Sequence, residues 1–356
     1  MKVLLLLTEA FSNVGGIQTY NRCLIRAFDE LSVNHDIEVT ALILNDFKKD
    51  FGKCHFSKNV KLIGFGRNKI SFLINSLLLI LSSDLILIGH VNFLPLIIFS
   101  FNKARKFLII YGIEAWRKLS ALSRMALKKT NKILSISNYT KAWFRDFNGL
   151  NEGDFLILPC SFESLNKSEE VVDLPKGKKL LSVSRLDFVE ELKNIDLLIK
   201  AFSEVEKKIN DVCLIICGDG ADRNRLEGVA KGLNVSEKVL FLGEISNEKL
   251  NYCYKVCDVF VLPSLKEGFG IVFLEAMNYK KPCIGVKAGG VTEVVEDNKT
   301  GILCEPNDIT SLSNAIIKLL LDEKLRSSFG EAGKERLERE FSFERFKSNL
   351  EKAIFS

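Results

Sequence analysis

The chain has 356 residues, 47% of them hydrophobic and 27% charged. That is globular composition, too long for one small core and suited to two domains of about 150–180 residues each. A formal charge of +5, from 50 basic and 45 acidic residues, is too mild to indicate nucleic acid, which is not expected as a partner. Nine scattered cysteines lack a disulfide pattern and read as reduced core thiols of a cytosolic protein. Cys213/Cys217 and Cys253/Cys257 share a C-x3-C spacing, but no histidine neighbours either pair and no metal site is expected.

Met1 leads into "KVLLLLTEAF". A signal peptide would need a small-residue cleavage site, and Thr8 and Glu9 end the run early, so a buried first strand over 3–8 is expected. "FSNVGGIQTYN" places Gly15 and Gly16 between that strand and a helical pattern over 17–31. Glycines there let backbone approach a ligand at a helix N-terminus, although a tight turn would need them too. Apolar runs follow at 38–44, 84–89, 106–112, 132–137 and 155–159, with helical stretches between most of them. The greasy segment 70–88 is broken by Asn75 and by "SSD" at 82–84, poor material for a membrane span of about 20 residues. His90 follows the 84–89 strand and is a candidate catalytic residue or a structural one; His35 reads as a surface residue. Between Lys103 and Arg145 there are 11 Lys or Arg and one acid, Glu114. With Phe107, Trp116, Trp143 and Phe144 this reads either as a peripheral contact with an anionic membrane or as a solvated basic face.

Residues 163–178 are polar and read as a linker. The alternation restarts with strands at 179–184, 212–218, 239–243, 259–263, 282–286 and 301–305. Helices are expected near 194–208, 222–232, 247–256 and 270–279, then a helical region over 308–339 and a terminal segment over 342–355. Continuous apolar strands alternating with helices imply parallel sheets covered on both faces. Two such doubly wound domains predict a cleft lined by the carboxyl ends of both sheets.

The chemistry concentrates in "KEGFGIVFLEA", 266–276. Glu267 and Glu275 flank a glycine turn that opens a helix, a place that favours anions. The backbone N–H groups of Gly268, Phe269 and Gly270 suit phosphate oxygens, while carboxylates suit sugar hydroxyls on either side. A surface acid beside an ordinary capped helix is the bland alternative. Arg185, just after a strand, and Lys193, just before a helix, can neutralise a diphosphate leaving group, or be solvated bases. "CGDG" (217–220) and "AGGVTE" (288–293) add strand-end glycine turns. No Asp-x-Asp offers a seat for magnesium, and no G-x-G-x-x-G supports a nicotinamide enzyme.

Taken together, "GGIQTY", "SRL…K", "CGDG", "FLGEIS", "LPSLKEGFGIVFLEA" and "AGGVTE" occur in the order found in the retaining glycosyltransferases of family four. The chain resembles that family, most fully over 178–340. The resemblance implies an α/β protein of the GT-B fold, with two Rossmann-like doubly wound parallel-sheet domains facing across a cleft. Residues 1–165, completed by the helix 342–356, would be the acceptor domain, 166–178 the linker, and 179–341 the donor domain. It further implies that Arg185 and Lys193 bind the donor diphosphate and that Glu267 contacts the donor sugar near the reacting carbon. Gly268, Phe269 and Gly270 would offer backbone contacts, Glu275 would hold the ribose, and Gly218 and Gly243 would frame the base. Gly15 and Gly16 would lie near the diphosphate and acceptor. Many relatives have His-Gly where this chain has Tyr111-Gly112, which leaves His90 or Tyr111 as the substitute, with Glu114 on the acceptor side.

The implied activity is metal-independent, retaining hexosyl transfer in polysaccharide or glycoconjugate synthesis. A UDP- or GDP-sugar would be the co-substrate, with no further cofactor, and a sugar or lipid-linked sugar would be the acceptor. The expected location is the cytoplasm or the inner membrane face. The alternatives are a catalytically silent nucleotide-sugar binder, a GT-B epimerase and, more distantly, an oxidoreductase.

Overall fold

The computed structural model describes residues 1–13, 15–52, 55–100, 102–162, 168–187 and 192–355. It divides into two units, Met1–Ser161 with Ser342–Ser356, and Phe162–Phe341. Residues 163–167 of the expected linker lie outside the described residues.

In the first unit, β1 (Lys2–Leu7), α1 (Gly16–Asn34), β2 (Glu38–Ile43), β3 (Val60–Gly64), α2 (Lys69–Ser82), β4 (Leu85–Ile88) and β5 (Arg105–Ile110) are followed by α3 (Ala121–Leu127), β6 (Lys132–Ser135), α4 (Asn138–Asn148) and β7 (Phe155–Ile157). The strands form one parallel sheet in the order β3-β2-β1-β4-β5-β6-β7. The central strands β1, β4 and β5 are buried almost throughout. That is what near-continuous Leu/Ile runs require when helices cover both faces. The edge strand β3 was not foreseen, because Lys61 interrupts its apolar residues. A 3-10 helix, Val91–Phe99, also follows His90 where no element was expected.

The second unit carries β8 (Lys178–Val183), α5 (Ile195–Glu206), β9 (Val212–Cys217), α6 (Arg223–Gly232), β10 (Val239–Gly243), α7 (Asn247–Val256), β11 (Val259–Val261), α8 (Ile271–Asn278), β12 (Cys283–Val286), α9 (Val291–Val294), β13 (Gly301–Cys304), α10 (Ile309–Leu321) and α11 (Glu323–Glu340). Its sheet is again parallel, β10-β9-β8-β11-β12-β13. The expected helical region 308–339 is two helices. Asp322 ends α10 and caps α11, its carboxylate accepting from the Leu325 N–H at 2.9 Å.

The last helix, α12 (Phe343–Phe355), belongs to the first unit and packs on α1. Phe346 meets Tyr20 edge-on at 5.3 Å, Lys347 pairs with Glu30 at 2.6 Å, and Arg26 lies 4.0 Å over the Phe343 ring. His35, read as a surface residue, instead contacts Glu351 at 2.8 Å and stacks on Phe355. The eight described cysteines are all buried and none forms a disulfide.

Candidate functional site

In both sheets the predicted residues lie at the strand ends, in the loops that follow or in the first two turns of the next helix, and each unit builds its own set.

In the second unit, β11 runs into a turn through Glu267, Gly268, Phe269 and Gly270. Gly270 takes φ 97° as the N-cap of α8, a left-handed geometry that glycine adopts without penalty. Phe269 is buried against Phe341, at 5.5 Å, so its side chain anchors the turn and only its backbone is available to a ligand. The 288–290 turn presses on the same backbone. Gly290 N–H donates to the Glu267 carbonyl at 2.8 Å, and a Cβ on Gly290 would stand 2.4 Å from the Gly268 carbonyl oxygen. The "AGG" sequence is therefore explained by the close approach of two backbones.

Lys193, directly before α5, reaches this turn. Its Nζ lies 2.5 Å from Glu267 Oε1, and the two side chains are only 18% and 13% exposed. The Leu265 N–H and the Leu192 carbonyl, 2.7 Å apart, tie the two loops together beneath the pair. The sequence placed Lys193 and Glu267 in one site; the direct ion pair between them was not foreseen.

Glu275 lies in the second turn of α8. Its Oε2 accepts from the Tyr254 hydroxyl at 2.7 Å. Tyr254 is 1% exposed. Burial, and then the adjacent Glu275 carboxylate, raises its phenol well above the usual range, so it stays a donor. Sequence reasoning missed Tyr254, which reads only as an apolar position of α7. Tyr254→Phe is expected to lower unfolding free energy by about 1–2 kcal/mol in urea melts. The hydroxyl leaves and the carboxylate keeps its other surroundings.

Arg185 is exposed in the loop after β8. That loop is clasped by the turn after β9. Ser184 N–H donates to the Cys217 carbonyl at 3.0 Å and Leu186 N–H to that of Asp219 at 2.9 Å. Gly218 has φ 124°, and a Cβ there would stand 1.9 Å from the Ser184 carbonyl oxygen. Its N–H donates to the Gly243 carbonyl at 2.8 Å. Arg223 bridges Asp219 at 3.1 Å and the Phe241 carbonyl at 3.0 Å, beside Gly243.

In the first unit, the loop after β1 is held by Asp46, a fully buried carboxylate that no local sequence signal singles out. It accepts from the N–H groups of Ala10 at 3.1 Å and Phe11 at 2.8 Å, and from the Ser12 hydroxyl at 2.7 Å. Gly15 is the N-cap of α1 and Gly16 its first residue. Gln18, Asn13 and Asn45 donate to Glu9 at 2.7, 3.2 and 2.7 Å. Burial alone would raise the Glu9 carboxyl; these donors and the charge of Arg67 hold it below its usual value.

Tyr111 is 5% exposed, and its hydroxyl donates to Asn21 Oδ1 at 2.7 Å. It packs edge-on against Tyr20 at 5.2 Å. As a stand-in for the family's histidine, Tyr111 is thus disposed as a core residue, its hydroxyl directed at α1. Glu114 accepts from the Tyr111 N–H at 2.6 Å and the Gly112 N–H at 3.1 Å. Burial raises its carboxyl despite these donors.

His90 caps the 3-10 helix, its Nδ1 accepting from the Asn92 N–H at 3.0 Å. Burial, and then the charge of Arg117, lowers its pKa below 6.5. The imidazole is therefore neutral, with its proton on Nε2. A base whose folded-state pKa is depressed resists the proton that the unfolded chain accepts. His90 should thus cost stability as pH falls below about 6.5. Urea melts should show a steeper loss between neutral and mildly acidic pH in the wild type than in His90→Asn.

Among the described residues no group of three or more His, Cys, Asp or Glu is placed to hold a metal ion.

A family model described as "Glycosyl transferases group 1" matches residues 166–336. The N-acetyl-alpha-D-glucosaminyl L-malate synthase of Bacillus anthracis is 30% identical over 246 residues, 68% of this chain and 61% of that one. The human alpha-1,3/1,6-mannosyltransferase ALG2 is 33% identical over 240 residues, 61% of this chain and 56% of its own. The chain thus spans less than two thirds of these relatives' lengths. Among solved structures, Anabaena HepE in complex with UDP superposes with a TM-score of 0.79 at 19% identity, covering 100% of both chains. Sucrose-phosphate synthase from Thermosynechococcus elongatus gives 0.77 at 21% identity, over 99% of this chain and 98% of that one. These likenesses identify the fold as GT-B.

Proposed function

Because the chain carries a group 1 glycosyltransferase domain over residues 166–336 on a GT-B fold, we propose that it moves a hexose from a nucleotide-diphosphate sugar to an acceptor hydroxyl. The anomeric configuration is retained and no metal ion is used. The observation that carries this reading is the Lys193–Glu267 pair set against the glycine turn at the N-terminus of α8, with Glu275 one turn further along.

In this reading Arg185 and Lys193 take the diphosphate oxygens, Lys193 exchanging Glu267 for them. The N–H groups of Gly268 to Gly270 and the α8 dipole add to that field. Glu267, released, accepts from hydroxyls of the donor sugar. Glu275, oriented by Tyr254, accepts from the ribose, and the Gly218 and Gly243 turns flank the base. The bond between the sugar carbon and the diphosphate oxygen breaks as the acceptor oxygen bonds on the same face, and the departing oxygen takes the acceptor's proton. Gly15, Gly16, His90 and Glu114 are the first unit's contribution. The UDP in the HepE structure supports a UDP-sugar, and relatives named GDP-mannose-dependent support a GDP-sugar. A sugar or lipid-linked sugar on the cytosolic side is the acceptor.

The test is incubation with UDP-, GDP- and ADP-sugars and candidate glycan acceptors, with the product's anomeric configuration read by NMR. Transfer with retention is expected. Conversion of a sugar nucleotide without acceptor would make the protein an epimerase, and binding without turnover would make it a silent binder.

A further inference from the structure

Helix α2 has two apolar sides. Phe72 and Ile80, with Ser76, face the core of the first unit. Ile70, Ile74, Leu78 and Leu81 are 72%, 53%, 64% and 59% exposed. Spaced i, i+4, i+8, i+11, they form one stripe along the helix. Helix α3 packs against the same 3-10 helix as α2, and it exposes Leu122 and Met125, at 53% and 61%. Aliphatic surface of this extent facing water is unfavourable and marks a binding surface.

The charge on and around α3 narrows the partner. The segment 103–145 holds 11 basic residues and one acid. That acid, Glu114, is engaged by two backbone N–H groups. Lys118, Arg124 and Lys128, on and around α3, are exposed. A second copy of the chain pairing symmetrically through this surface would set basic residues against basic ones. At 14 residues, α2 is about 21 Å long, shorter than the hydrocarbon core of about 30 Å. Among the described residues no helix is long and apolar enough to cross a membrane.

We propose that the α2–α3 surface rests on an anionic lipid bilayer. The α2 stripe lies along the headgroup boundary, and Lys118, Arg124 and Lys128 meet lipid phosphates. Seating the enzyme there would bring it to a lipid-linked acceptor. The binding itself requires neither donor nor acceptor and so stands apart from the transfer reading.

The experiment is co-sedimentation of the full chain with vesicles of phosphatidylcholine, alone or mixed with phosphatidylglycerol. Binding to the mixed vesicles is expected, weakening with added salt. Ile74→Glu combined with Leu78→Glu should lower the vesicle-bound to free ratio about tenfold or more. Lys118→Glu with Arg124→Glu and Lys128→Glu should abolish the preference for anionic lipid. All five positions are exposed, and unchanged thermal melts would confirm folding; Leu78→Gln alone serves where the double variant does not fold. Absence of wild-type binding, or binding that the α2 variant leaves unchanged, would overturn the proposal. So would a dimer in light scattering that the α2 variant dissolves.

Discussion

Glu267→Gln is expected to lower kcat by about a hundredfold or more, equivalent to about 2.7 kcal/mol of lost transition-state stabilisation. The substitution keeps the shape of the side chain and removes its charge. The charge matters twice. Without donor, the carboxylate holds Lys193 at 2.5 Å. With donor, on the proposed reading, it accepts from sugar hydroxyls next to the reacting carbon. A neutral amide would leave the Lys193 ammonium with a weaker partner in a site that is mostly shielded from water. For a fully buried pair such a loss costs about 3–5 kcal/mol; here, with both side chains partly solvated, about 1–3 kcal/mol is expected. Lys193→Met should raise KM for the donor more than Glu267→Gln does, because it removes the group assigned to the diphosphate. If Glu267→Gln turned over at the wild-type rate, the pair would be a structural tie between two loops.

The second large effect is Gly218→Ala. The glycine φ of 124° lies in a region that L side chains rarely adopt, and the new Cβ would fall 1.9 Å from the Ser184 carbonyl oxygen. That neighbour is backbone and cannot rotate away. Strain of about 1–3 kcal/mol adds to an overpacking cost of about the same size. Unfolding free energy should therefore fall by about 2–6 kcal/mol, read from urea or thermal melts. Relief must come from moving the loop that carries Arg185, so donor affinity should fall along with stability. Gly149→Ala provides a contrast: its φ of 62° is also left-handed, but nothing stands within 4 Å of the new Cβ. Only the backbone term of about 1 kcal/mol should remain there.

These two substitutions separate what the sequence made legible from what it concealed. Strands and helices of the second unit were readable because each apolar run is continuous and is followed by a helix, with glycines at the turns after β9, β10, β11 and β12. The expected helix 247–256 and strand 239–243 agree with α7 and β10 to the residue. Edge elements were harder. β3 is short and half-solvated, so Lys61 breaks the run that would announce it. The site followed the same division. Glycine turns and the acids flanking them are local in sequence and could be found by spacing. Tyr254, 21 residues from Glu275, and Asp46, 35 residues from Phe11, act across the fold. Nothing local distinguishes a tyrosine that orients a carboxylate from one that fills a core. Tyr111 shows the converse: the resemblance offered it as a substitute for a histidine of the family, and its buried hydroxyl is directed at Asn21.

The placement of the diphosphate is decided by a crystal structure with a nucleoside diphosphate bound, UDP or GDP according to which of them raises the melting temperature. The diphosphate is predicted to lie between Arg185 and the N–H groups of Gly268 to Gly270, with Lys193 moved from Glu267 to its oxygens and the ribose hydroxyls on Glu275. A nucleotide bound elsewhere, with Lys193 still on Glu267 and no ribose hydroxyl on Glu275, would contradict it.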